Sequence, residues 1–141
     1  MFDVPAAFRT LLLTQSGVTT QVSTRIYCAP GLAREQQALM PRKCLVLLSM
    51  PGSEAHPQIP AGIEIVQARC YGATAVEARA VYNALFDAAQ RLRKQRPATG
   101  QYIGNIVQSG GPFDLVEPEV EWPVVISTWM LYYATATVTV A

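Results

Sequence analysis

The chain contains one histidine, His56, two residues after Glu54 in a proline-rich stretch. A histidine beside a carboxylate can serve as a base, and a thiol nucleophile would complete a catalytic pair. Cys28, Cys44 and Cys70 are the available thiols, all distant in sequence, so only the fold could bring one to His56. No Cys stands near His56 in sequence and no triad pattern surrounds it, so a solvated loop histidine accounts for it more simply. A metal centre would need further histidines or a cysteine cluster, and the chain has neither. No catalytic residue, cofactor-binding residue or metal ligand is therefore nominated, and the expectation is a protein that is not an enzyme and takes no cofactor.

Other chemistry-bearing groups fare no better. Gly104, Gly110 and Gly111 form neither GxGxxG nor a phosphate-binding loop, because no Gly-Lys-Ser or Gly-Lys-Thr follows. Asp114, Glu117, Glu119 and Glu121 lack the spacing of an EF-hand loop and read as a solvated acidic connection. Arg91, Arg93, Lys94 and Arg96 have two readings. They complement the negative end of a helix, or they touch DNA phosphates or an acidic subunit face. No aromatic is interleaved among them, so stacking on bases is not suggested. Trp122, Trp129, Tyr132 and Tyr133 read as core and sheet residues rather than a ligand platform.

The elements that position these groups follow from patterning. Gly62–Tyr71 reads as a strand running into a helix. Glu64, Val66, Ala68 and Cys70 alternate with Ile63, Ile65, Gln67, Arg69 and Tyr71. Thr74 and Glu77 form a Thr-x-x-Glu capping box. Val81, Leu85, Ala88 and Leu92 then share a helical face, and the helix runs through Arg91, Arg93, Lys94 and Arg96 until Pro97 stops it. Upstream, residues 5–14 predict a helix with Ala7, Phe8, Leu11 and Leu12 on one face, closed by Gly17. A further turn over 18–22, a short extended segment over 24–27, and a loop with one or two helical turns over 29–41 follow. Residues 42–50 predict a strand buried on both faces, and 53–61 a surface loop with Pro57 and Pro60. Residues 102–108 predict a strand, Ser109-Gly110-Gly111-Pro112 a turn, 113–123 a polar connection, and 124–138 a final β-branched and aromatic strand. The fold class is α+β. About four mainly antiparallel strands carry one long amphipathic helix and an N-terminal helix, in the order α-β-β-α-β-β.

Composition bounds the class. At 141 residues the chain is expected to be a single domain, 1–141. Such a chain buries roughly two-thirds of its unfolded surface. Half of the residues are hydrophobic and 15% are charged, which points to surface buried against other chains. A net charge of +1 gives no support to a strong nucleic-acid surface or a polybasic membrane anchor. Three cysteines without a CxxC read as reduced, packed thiols. The opening residues lack a leader pattern, and no run of 18 apolar residues is present, so no membrane partner is expected.

Taken in order, several segments resemble the tail terminators, or head-to-tail joining proteins, of long-tailed bacteriophages. They are Phe8-Arg9-Thr10-Leu11-Leu12 with Gly17-Val18 and Arg25-Ile26-Tyr27, then 66–72 running into 75–78, then 108–112 followed by Trp122-Pro123 and a last strand. The resemblance spans about residues 4–134 and rests on the joint order of soft motifs. It implies an α+β subunit in a homo-oligomeric ring of six, a hexamer in the virion neck, assembled in the host cytoplasm. The ring would end tail-tube growth, meet the tail tube protein on one side and the head connector or stopper protein on the other, and let DNA pass without sequence-specific binding. Extended loops suit such contacts. Pro51, Glu54, His56 and Ile59 in one loop, and Phe113, Asp114 and Glu117 in the acidic connection, are the candidate partner interface. Arg91, Arg93, Lys94 and Arg96 are the candidate DNA-channel or subunit contacts. The competing readings are a neck stopper or other minor ring protein, a small cysteine-dependent α/β enzyme using His56, and an unrelated oligomeric binding module.

Overall fold

A computed structural model describes residues 3–29, 31–50, 54–55, 61–98 and 100–134. Helix α1 (Val4–Leu12) begins where the Asp3 carboxylate accepts from the Ala6 amide at 3.1 Å, with Pro5 in the first turn. It buries Val4, Ala7, Phe8, Leu11 and Leu12. Helix α2 (Ser16–Val22) follows at once and buries Val18 and Val22. After β1 (Ile26–Tyr27) come the short α3 (Arg34–Gln37), β2 (Cys44–Ser49), β3 (Glu54–Ala55) and β4 (Ala61–Tyr71). Helix α4 (Ala75–Arg91) starts at Thr74, whose hydroxyl accepts from the Glu77 amide at 3.2 Å. The long strands β5 (Tyr102–Val116) and β6 (Pro123–Ala134) complete the chain.

The sheet order is β1-β2-β4-β6-β5, with β3 paired to β4 off that path. The four long strands are antiparallel to their neighbours, as the sequence predicts; β1 adds a short parallel edge to β2. Helices α1, α2 and α4 lie on one face. There Leu45 and Leu47, then Val66, Ala68 and Cys70, then Val125, Trp129 and Leu131 meet Phe8, Val81, Leu85 and Leu92. Period two in the strands and 3.6 in the helices put these residues on facing surfaces. Leu85 is fully buried, and Trp129 Nε1 donates to the buried Ser127 hydroxyl at 2.8 Å, so the indole carries no unpaired donor into the core. On β2 the other set, Cys44 and Val46, packs with Tyr71 and Val124 into a second cluster, which accounts for a strand apolar on both faces.

Four expectations are corrected. Gly17 does not close α1; it lies in the first turn of α2, and α1 ends at the Leu13 cap. The α4 helix stops at Arg91, so Arg93, Lys94 and Arg96 lie beyond it. Leu92 turns inward to the core, and Gln95 pairs antiparallel with Ile103. Residues 109–112 are not a turn. They are a bulged stretch inside β5, with register shifts against β6 on both sides of Gly110. Gly111 makes this possible: its φ is +81°, and a Cβ there would lie 2.6 Å from the Ile126 carbonyl oxygen. The polar connection therefore shrinks to residues 117–122, and Phe113–Val116 is strand. Within the proline-rich loop, Glu54 and Ala55 pair with Ile63 and Gly62. Pro51, His56 and Ile59 lie outside the described residues.

Candidate interaction surface

The second face of the sheet defines the site. Against its β1–β2 side lies the segment around Leu32 and Met40. Over β4, β6 and β5 it carries no helix among the described residues. Register fixes which side chains share this face. Ile65, Met130 and Val107 form one cross-strand row. Gln67, Thr128 and Gly110 form the next, then Arg69, Ile126 and Phe113, then Tyr71, Val124 and Leu115. The outer strand is the bare part: Phe113 is 60% exposed, Leu115 51% and Val107 41%. Burying one such side chain is worth roughly 1.5–3 kcal/mol. Apolar side chains of this size in water on one sheet face make it the candidate surface for contact. The sequence carries a trace of this, because Phe113 and Leu115 alternate around Asp114, but the expected turn and polar connection conceal it.

At the end of this face the hairpin between β5 and β6 is tied to the sheet. Tyr71 donates its hydroxyl to the Glu117 carboxylate at 2.6 Å, and Arg69 pairs with the same oxygen at 3.2 Å. Burial raises the Tyr71 pKa, and its bond to the negative carboxylate raises it further. Tyr71 also meets Trp122 edge-on at 6.1 Å between ring centroids. A groove of about 350 Å³ runs between this tip and Leu32, Val46 and Leu48. Glu117, nominated for partners, is thus held by its own chain, while Phe113 faces solvent and Asp114 reaches back to Arg79 of α4 at 3.4 Å. Glu119 and Glu121 stand exposed in the turn, both with positive φ.

This arrangement has a counterpart among solved structures. A chain from the virion of a native gene transfer agent particle matches it with a TM-score of 0.67. The two are 12% identical, and the match covers 93% of this chain and 94% of that chain. The helices, the sheet and the long hairpin therefore all fall within one shared fold. No protein-family model and no curated protein matches the chain.

The basic candidates gather at the opposite end of β5. Arg91, Arg93, Lys94 and Arg96 are all exposed. The Arg96 guanidinium lies 5.6 Å from the Tyr102 ring centroid, and the Lys94 amide donates to the Gly104 carbonyl at 3.1 Å. The structure thus places Lys94 and Arg96 along the start of the outer strand, away from Asp114 and Glu117, while Arg91 ends α4 and lines a groove with Gln15 and Gln21. The thiols show no sign of activation. Burial pushes Cys44 up to about 11 and raises Cys70, and Cys28 is raised by partial burial and by Asp3. Among the described residues no cluster of His, Cys, Asp and Glu is placed to hold a metal, and no helix is long and apolar enough to cross a membrane.

Proposed function

We propose that the protein is a structural component of a phage-like virion, acting as a non-catalytic ring subunit at the head-proximal end of the tail. In that place it ends growth of the tail tube and joins the tail to the head connector, with DNA passing through the ring. The observation that supports the virion part of this reading is the shared fold with a virion chain over nearly the full length of both chains; the place at the tail end is what the resemblance of the sequence segments implies. The uncovered apolar strand of β5 supports it, because a ring subunit must bury surface against neighbours that the lone chain lacks. The cysteines support it in a second way: groups held as neutral thiols are poor nucleophiles.

Particles assembled without this chain test the position. A tail terminator leaves overgrown tubes, and adding the purified chain to growing tubes limits their length. A neck stopper leaves tubes of normal length that fail to join full heads. Particles of normal form and infectivity without the chain would contradict both.

A further inference from the structure

Charge is segregated along this molecule. After Arg96 the chain contains no Lys or Arg, and its acidic residues there are Asp114, Glu117, Glu119 and Glu121. They cluster at the far end of the β5–β6 hairpin, where Arg79 balances Asp114 and Arg69 balances Glu117, so the exposed Glu119 and Glu121 carry the charge of that end. The cations Arg93, Lys94 and Arg96 stand in the segment that runs beside the start of β5, just after Arg91 ends α4. Fifteen residues of strand separate the two ends, roughly 45 Å at the usual rise per residue, less what the bulges take up. Each pole sits beside exposed apolar side chains. Phe113 and Leu115 lie at the acidic end, with Val120 in the turn. Tyr132 lies at the basic end, across from Asn105 on β5 and 39% exposed.

We propose that the occupant of the bare strand is a second copy of this chain, bound head to tail. The acidic hairpin end of one copy docks on the basic start of β5 in the next. Phe113 and Leu115 cover the apolar surface around Tyr132, and Glu119 and Glu121 face Arg93 and Lys94. The contact is heterologous: two different surfaces meet, so each docked copy presents a fresh pole to the next and the series closes into a ring or runs on. The opposite signs steer the poles together, and like poles repel, which fixes direction. Self-pairing along the β5 edge is a weaker competitor. Gln95 already bonds to Ile103 at the start of that edge, and the bulges and Pro112 break its ladder further on. The proposal names the surfaces that would build the ring of the preceding section, and in that sense rests on it.

The test uses two charge-reversed variants of the full chain, Glu119→Lys with Glu121→Lys, and Arg93→Glu with Lys94→Glu. Because Lys43 and Lys94 are the only lysines, each is cross-linked with a short photoactivated reagent that does not depend on amines, at rising protein concentration up to millimolar, beside the native chain. The native chain is expected to give a ladder of oligomers that weakens with added salt. Each variant alone should lose about tenfold or more of it. Mixing the two variants should restore the ladder, because each reversed pole then meets its opposite. Restoration also shows that both variants are folded. No ladder from the native chain, ladders unchanged by reversal, or no restoration on mixing would each overturn the proposal. The readout uses no virion component, so failure here is distinct from failure of the virion reading, which depends on where the protein is found in particles.

Discussion

At the scale of residues, two of the three thiols are held quiet by burial. Cys44 and Cys70 are buried and kept as neutral thiols. Maleimide labelling of the native protein at neutral pH should therefore be slow for both, and fast only after unfolding, as mass spectrometry of digested protein would read. Rapid modification of either in the native state would revive the thiol-enzyme reading. Glu64 gives a second prediction. Its pKa is raised, first by burial and then by Asp3, against a lowering bond from Ser49. The fold thus favours the protonated acid. That contribution is fully present below the ordinary glutamate range and is lost as pH rises through the raised value. Glu64→Gln should accordingly unfold at higher denaturant than the native chain at pH 7, with the gap closing towards pH 4. An equal midpoint at pH 7 would show that the carboxylate is not strained. One histidine and scattered cysteines are the reason the sequence leads to no nominated base, thiol nucleophile or metal set. It did not show which acids are held: Glu117 looked like its neighbours until Tyr71 and Arg69 were found on it.

At the scale of elements, α4 and β4 were legible because every local signal agreed. The Thr74 cap, the Leu85 face and the alternation through Cys70 all point the same way. Leu85→Ala should cost about 2–5 kcal/mol of unfolding free energy, since the site is fully closed by core neighbours. A loss below 1 kcal/mol in urea titration would place Leu85 outside the core. The long β5 was hidden because its signals conflict. Ser109-Gly110-Gly111-Pro112 has turn chemistry, yet β6 supplies partners from Pro123 to Ala134, and pairing along it outweighs the local preference. The glycines serve the bulge rather than a reversal. Gly111→Ala should therefore destabilise by about 1–3 kcal/mol, through positive φ and the Ile126 carbonyl. A neutral effect in the same titration would mean that the bulge adjusts freely. The end of α4 was misread for a similar reason: Arg91 to Arg96 look like a cationic helix terminus, but burying Leu92 and pairing Gln95 to Ile103 draw the chain out of the helix first.

At the scale of the whole molecule, the described residues give a sheet with one face closed by helices and a second left partly bare, with the exposed Glu119 and Glu121 at one end of its outer strand and the exposed Lys94 and Arg96 at the other. A lone domain gains nothing from Phe113, Leu115 and Val107 in water, whereas a subunit with neighbours does. This level was barely legible in sequence. The apolar composition hinted at buried interfaces, but which strand stays open depends on strand order and register, and those are set by pairing between distant segments. The most direct test of the proposed role is gold-antibody labelling of particles made with this protein, viewed by electron microscopy. The account predicts gold at the head–tail junction. Gold absent from opened particles, with the protein recovered only in the soluble fraction, would contradict it.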